Sequence, residues 1–495
     1  LNGTYVFSSA GENADAAFMT ITGSFTASNG GISGGTVDVI SADPAYGLSP
    51  GLAMSNPSYI ISADGRGQIN FGVTVTGTNG PTSFTFDFVL ASTSHGLITE
   101  FDANGSGSGT IDLQPSPVPQ SALSNLSFSF GISGSGSTAS FGTVGALTLG
   151  ATGDVTAGVE DFNNGGTPAT SAISTSSFVS VGTGTAPGTA TLVSSFGSGA
   201  YSYDVYAIDS THLKFIETDG QFIASGDAYT QGTSIPDGTY VFAMSGTDLG
   251  GDPLSVAGFM PVSGGAIAAG AEDFNDAGII DATPVAFSGG FSALTGGRSQ
   301  LSVATFVNGA ANDVAGSYLF AAYPFSSNGV TGVQLMEIDG LVTSGVAYVQ
   351  SSTTLAPSQG YGLNLSAVNV SNGAGGFYEE DDIAEFQATS TAFTPGIVDI
   401  NDATVGTLYK QTFNGTYASV TGGEYTATTT EQGNAFVNFN FYAVNGSTFL
   451  LLETDAGQIG TGIFELQNAS TSPGAEPGIS MVRASSVSAH ALRRK

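Results

Sequence analysis

Apolar and polar side chains alternate along this chain, and each alternating stretch ends in glycine, asparagine, aspartate or proline. Alternate residues of a strand share one face, so this is the signature of half-buried strands. Thr4-Tyr5-Val6-Phe7 opens the first. Residues 18–27 continue with Met19, Ile21 and Phe25, and Ser28-Asn29-Gly30-Gly31 leads into 32–40. After a loop with Pro44, Pro50 and Pro57, residues 59–62 pair across Asp64-Gly65 with 68–75. Residues 84–90 pair across 92–96 with 97–101, and 110–113 end the unit. Asn-Gly and Asp-Gly between alternating runs are strong hairpin signals. No window carries a sustained helical period between caps. The pattern predicts an all-β unit of about eight sequential antiparallel strands. It closes as an up-and-down β-barrel or folds as a barrel-like sandwich. The run of neighbouring hairpins favours the barrel, since a Greek key needs longer crossovers.

The pattern occurs four times. Glu100-Phe101-Asp102, Glu217-Thr218-Asp219, Glu337-Ile338-Asp339 and Glu453-Thr454-Asp455 recur at steps of 117, 120 and 116 residues, and Gln114, Gln231, Gln350 and Gln467 follow them. Fixed-period similarity sets the architecture. Four tandem domains are expected at 1–114, 118–231, 235–350 and 355–467, with a C-terminal tail at 468–495. Each has the size of an independent domain. Pro115, Pro117, Pro119, Pro236 and Pro357 punctuate the junctions. Short proline-stiffened linkers predict a semi-rigid rod.

Composition narrows the partners. Forty acidic and eight basic residues give a formal charge of −32, while only 10% of residues are charged. Such a surface repels nucleic acid and anionic lipid. No run of 18 apolar residues exists, so membrane insertion by a helix is not expected. Cysteine is absent, which removes disulfides and thiolate metal sites. Arg66, Lys214, Arg298 and Lys410 stand one to a repeat, and Arg483, Arg493, Arg494 and Lys495 cluster at the end. The chain opens at Leu1, already inside a strand, which reads as a processed start. A Gly-, Ser- and Thr-rich chain with almost no lysine points to an extracellular or cell-surface location.

Three groups are candidates for chemistry. Glu217, Glu337 and Glu453 share a strand face with apolar neighbours, and Glu100 is their equivalent. A core-facing carboxyl must be hydrogen-bonded. We read all four glutamates as structural, each closing a barrel end and accepting bonds from a tyrosine hydroxyl or from backbone N–H groups. An acid–base pair for glycoside hydrolysis is the alternative, but four equal copies speak against an enzyme. An acidic turn recurs at Glu160-Asp161-Phe162-Asn163, Glu272-Asp273-Phe274-Asn275-Asp276 and Asp399-Ile400-Asn401-Asp402, and the first repeat keeps only Asp38. These oxygens suit Ca²⁺, which makes Glu160, Asp161, Asn163, Glu272, Asp273, Asn275, Asp276, Asp399 and Asp402 calcium candidates. An Asx-rich turn is the alternative, and no other cofactor is expected. The run Glu379-Glu380-Asp381-Asp382 reads as a solvated loop. His95 and His212 occupy equivalent hairpins, too few ligands for zinc.

Asn2-Gly3-Thr4-Tyr5-Val6-Phe7, Gly23-Ser24-Phe25-Thr26-Ala27, Ala63-Asp64-Gly65-Arg66-Gly67 and the Glu-x-Asp block resemble a family of secreted repeats found in Acidobacteria-type cell-surface proteins. That resemblance implies a location and no activity. The second and fourth repeats lack the Asp-Gly-Arg-Gly turn. The opening Gly-x-Tyr and the meander also resemble lipocalin and avidin barrels, at the level of fold.

The expected function is that of an extracellular structural protein, a self-assembling subunit of a surface filament or layer. Ile479, Met481, Val487, Ala489 and Ala491 alternate in the tail. This suggests a strand donated head-to-tail to a neighbouring copy, with the basic end facing that copy's acidic repeats. An adhesin or module binding a glycan or a small apolar ligand is the alternative. It requires an open pocket lined by aromatics in at least one repeat.

Overall fold

The computed structural model describes residues 1–467 apart from 79, 137–138, 196–198, 281–282, 306–315, 371–375 and 432–437. The described chain is β-structure nearly throughout, with two short 3₁₀ turns at Gln120–Leu123 and Thr295–Gly297. Four antiparallel sheets follow one another over 3–114, 127–230, 238–349 and 359–466. In each, the first strand pairs with the last: Gly3–Asn13 with Gly105–Gln114, Ser127–Ser135 with Ile223–Thr230, Gly238–Thr247 with Val342–Val349, and Gln359–Val370 with Gln458–Leu466. That pairing settles the choice between barrel and sandwich. The third and fourth sheets close completely. The first stops short between Leu48–Ala53 and Ser55–Ile61, where Pro50 and Pro57 each remove a ladder donor. The second is open between Thr167–Ala172 and Phe178–Val179.

Alternation sends one parity of each strand inward. Tyr5 and Phe7 meet Phe25, Phe71, Phe84 and Phe86 inside the first barrel. The matching opening strands place Phe128, Phe130 and Ile132, then Tyr240, Phe242 and Met244, then Tyr361, Leu363 and Leu365 in the other three cores.

The outward parity is apolar as well, and it is buried against the next barrel. Val6 and Ile40 of repeat one pack on Tyr206, Ile208 and Ile216 of repeat two. Val144 and Ala146 of repeat two pack on Ala321, Tyr323 and Met336 of repeat three. One further cluster joins Val89 and Leu97, Tyr229, Tyr348 and Val346, and Leu452 and Ile463, drawn from all four repeats. Each such side chain contributes roughly 1.5–3 kcal/mol when fully removed from water. The fourth repeat returns to the first: Asn364 donates to Thr99 Oγ1 at 2.6 Å, and Ser106 and Ser108 donate to Asp381 at 2.8 and 2.7 Å. The rod expected from the linkers is therefore replaced by a closed ring of four barrels. Linker stiffness does not decide the shape, because apolar outer walls pull neighbours into contact.

The periodic glutamines make the ring's bonds on one face. Gln114 donates its side-chain amide to the carbonyl of Ala207, Gln231 to Gly296, Gln350 to Gly422 and Ala443, and Gln467 to Asp64 and Leu90. Each glutamine thus holds the following repeat, and Gln467 closes the circle. On the opposite face Asn163 donates to the carbonyls of Glu337 and Leu341, Asn275 to Glu453, Asp455 and Gln458, and Asn401 to Glu100, Asp102 and Gly105. Ile40 takes this place in repeat one, so there the junction is apolar. The contact is heterologous, and its rotation closes after four copies.

Close approach at the last junction needs a residue without a side chain. A Cβ at Gly362 would lie 2.7 Å from Val89 Cγ1. Gly362→Leu is expected to lower the melting temperature by several degrees and to open the seam between repeats one and four. Calorimetry with limited proteolysis at the seam reads both, and an unchanged melting temperature would contradict the tight packing.

Candidate functional site

The Glu-x-Asp motif divides its labour. The aspartate ties its turn to the start of a neighbouring strand. Asp102 accepts the backbone N–H of Thr85 at 2.6 Å, Asp219 that of Ser202 at 2.7 Å, Asp339 that of Leu319 at 2.9 Å and Asp455 that of Asn438 at 2.8 Å. The glutamate lies buried beneath it in every repeat. Glu217 accepts backbone N–H bonds from Gln221 and Phe222 at 3.1 and 3.0 Å, and Glu337 accepts the Thr343 hydroxyl at 2.6 Å. None of these donors is a tyrosine hydroxyl. Tyr206, Tyr323 and Tyr442 reach instead to Asp38, Asp161 and Asp273 of the preceding repeat. Burial raises the Glu217 carboxyl to about 10, with the Asp219 side chain adding to it, and holds Glu100, Glu337 and Glu453 well above the usual range.

Several of the calcium candidates serve the junctions. Asp161 is held by Arg298 and Tyr323 of the next repeat and by Thr170. Asn163, Asn275 and Asn401 present amide N–H groups to carbonyls, the wrong polarity for a cation. Asp273 takes Asn440 and Tyr442, Asp399 the Lys410 N–H, and Asp402 Asn369, Thr404 and Val405. Glu160, Glu272 and Asp276 are likewise buried on their strands. Among the described residues no group of three or more His, Cys, Asp or Glu is arranged to hold a metal ion. Glu379-Glu380-Asp381-Asp382, read above as a wet loop, lies in the strand Phe377–Ala388 and is buried. Asp381 takes the serines of repeat one, while Glu380 accepts from Asn369 and Gln458.

A buried charge network occupies the ring centre. The His95 ring lies between Asp112 Oδ1, 2.7 Å from Nδ1, and Glu465 Oε2, 2.8 Å from Nε2. Burial alone would lower His95, but Glu465 and then Asp112 outweigh it and raise it to about 10. Lys214, with no exposed side chain, donates to Thr110 and Asp227 and stands 3.6 Å from Asp112. His212 meets Asp227 at 2.6 Å and stacks on Tyr229. Lys214, Arg298 and Arg66 all point back to carboxylates of the preceding repeat, Asp112, Asp161 and Asp399. The one-per-repeat basic residues are thus junction residues in three repeats.

Among the described residues, repeat three departs from this filled design. The third barrel contains a chamber of about 50 Å³, lined by Met244, Leu254, Val256, Phe274, Tyr318 and Phe320 above Glu272 and Glu337. Glu272 is raised to about 8 by burial first and Asp273 second. A second cleft, about 480 Å³, lies at the seam of repeats one and four around Asp64, Glu385, Gln387 and Gln467. Neither the chamber nor the central network was legible in the motifs. The only available signal was that Glu160 and Glu272, alone of their equivalents, precede the junction aspartate.

No family model and no curated protein matches the chain. The resemblance to secreted bacterial repeats is accordingly not carried by a family model. Among solved structures, a transferrin binding protein B double mutant from Haemophilus parasuis Hp5 is similar at 9% identity, covering 76% of this chain and 84% of that one, with a TM-score of 0.21. Intact Ap-TbpB is similar at 9% identity over 94% and 95%, with a TM-score of 0.19. The P pilus usher PapC translocation pore follows at 9% over 95% and 99%, with a TM-score of 0.15. Likeness at this level carries no functional argument. No described helix is long and apolar enough to cross a membrane.

Stability should depend on pH with a definite sign. Glu160, Glu217 and Glu272 are raised to about 7, 10 and 8, so the folded chain binds protons that the unfolded chain releases above about 4.3. Their contribution is complete below that pH and is lost as pH rises through 7 to 10. His95 adds the same sign. Asp112, where burial is outweighed by His95 and Lys214, is held at about 2 and acts oppositely, below pH 4. Melting temperature is expected to peak near pH 4–5 and fall towards pH 9, and Glu217→Gln should flatten the fall. Removing the buried cation, Lys214→Met, takes from Asp112 and Asp227 a charge that His95 and His212 only partly replace, and should cost about 3–5 kcal/mol. Denaturant titration measures this loss, and a change below 1 kcal/mol would refute the network's role.

Proposed function

We propose that this chain is a non-enzymatic, surface-type β-barrel binding protein. In this reading a rigid ring of four barrels carries a small-ligand site inside the third. The observation that carries it is the chamber over Glu272 and Glu337, walled by Phe274, Tyr318 and Phe320. An apolar enclosure with a few convergent polar groups is the usual form of a ligand site. Catalysis is disfavoured because the same glutamate recurs in all four barrels and ties to its own turn in two of them. The extracellular setting rests on composition.

The structural-subunit reading keeps support from one feature. The hairpins that receive Gln467, Gln231 and Gln350 in repeats one, three and four expose Ile60 and Ile61, Leu294 and Val420 beside the glutamine contacts. A row of this kind suits stacking of rings. The head-to-tail surface of the barrels, by contrast, is used up within the chain. The proposed donor strand at 468–495 lies outside the described residues. Deleting 468–495 should leave folded monomers that no longer polymerise, and unchanged assembly by electron microscopy would remove the tail's role.

The binding reading is tested by plugging the chamber. Small apolar and amphiphilic compounds that raise the melting temperature of the full chain should lose that effect in Leu341→Phe. Equal shifts in both proteins, or none in either, would dismiss the third barrel as a site.

A further inference from the structure

Barrels two and three carry the same carboxyl pair and treat it differently. Glu160 and Glu217 occupy in barrel two the positions of Glu272 and Glu337 in barrel three, each before the junction aspartate or at the head of the Glu-x-Asp motif. In barrel two the chain supplies both a donor and a plug. The N–H groups of Gln221 and Phe222 bind Glu217. The Phe222 ring then stacks on Phe141 with centroids 3.8 Å apart, flanked by Phe162 and Tyr201. In barrel three Leu254 stands for Phe141, Phe274 for Phe162, Tyr318 for Tyr201 and Leu341 for Phe222, by their places on matching strands. The plug is smaller, and the backbone N–H of Leu341 turns to Asp339 at 3.3 Å. Glu337, only 2% exposed, keeps Thr343 on Oε2, and no donor reaches Oε1. The space left over this oxygen is the chamber.

We propose that the third barrel binds a short alkylammonium ion, whose N–H groups take the role that the Gln221 and Phe222 amides play in barrel two. The proposal rests on the reading of this barrel as a ligand site and names the ligand's class. A buried carboxyl oxygen without a donor, Glu337 Oε1, calls for an N–H group, and carboxylate charge calls for a cation. Asp276, which has a partner of its own, also borders the chamber, and the lining contains no basic residue. Asp339 and Asp273 stand beside the pair from the turn and from the outer face of the same strand. A neutral donor would leave this charge unbalanced, and a hard metal ion would lack the oxygen shell it requires. The alkyl chain would lie on Met244, Val256 and Phe320. One water-sized body needs about 10–15 Å³ by this measure, so the chamber admits roughly three to five non-hydrogen atoms.

Binding should release protons and tighten as pH rises through about 8, because burial holds Glu272 near that value and Glu337 above the usual range, while the ammonium remains charged up to about pH 10. Calorimetric titration of the full chain at pH 8, in two buffers of different ionisation heat, compares butylammonium, 1-butanol and tetramethylammonium. Butylammonium is expected to bind one per chain with proton release, at least tenfold tighter than either of the others. Glu337→Gln should weaken it at least tenfold, and Leu341→Phe should abolish it while the melting temperature is kept. If 1-butanol binds as tightly and Leu341→Phe blocks it, the ammonium class is overturned and the ligand site stands. Tetramethylammonium binding as tightly overturns the donor requirement. Butylammonium binding that survives Glu337→Gln overturns the proposal. Silence from all three overturns both the class and the site.

Discussion

A barrel wall has two faces, and in this chain neither is suited to water. The inner face builds the familiar core of Tyr5, Phe7, Phe25 and their equivalents. The outer face carries Val6, Val144, Val241 and Ile383, which find cover only on another barrel. Everything else in the architecture follows from that second demand. Because each barrel offers one outer patch to its successor and another to its predecessor, the contact is directional. Four such steps bring the last barrel back to the first, with Gln467 on Asp64 and Leu90. The low charged fraction follows as well, since much of what would be surface in a string of separate barrels is interior here.

The ring also explains how so acidic a chain keeps many carboxyls out of water. They are paired across junctions, as Asp161 with Arg298 and Asp112 with Lys214, capped by backbone N–H groups, as in the Glu-x-Asp turns, or held neutral by burial. A buried charge pair adds specificity more than stability. Here it favours one register between barrels whose apolar contacts alone would permit sliding.

Against this regularity, a departure from four-fold sameness carries the proposed site. The repeats have similar frames, so a difference between equivalent positions is a built-in control. Barrel two fills the space over its glutamate with Phe222, and barrel three leaves a chamber there. The sequence motifs directed attention to what is common, and the common residues turn out to serve turns and junctions.

Strand content, the hairpin order and the four-fold period were legible in the chain alone, because alternation and turn residues act over a few positions. The buried state of Glu217, Glu337 and Glu453 was legible for the same reason, through their parity with apolar neighbours, and that of Glu100 by its place in the repeat. What those carboxyls bind was not, nor was the purpose of Gln114, Gln231, Gln350 and Gln467. Their partners lie in another repeat, as far as 403 positions away in the case of Gln467 and Asp64. Only the tertiary structure could show Asn163, Asn275 and Asn401 as amide-bearing clasps, replace the rod with a ring, bury Glu379-Glu380-Asp381-Asp382, and show a chamber in the third barrel. Local pattern determines which face of a strand is apolar; which surface covers that face depends on contacts between residues that the chain keeps far apart.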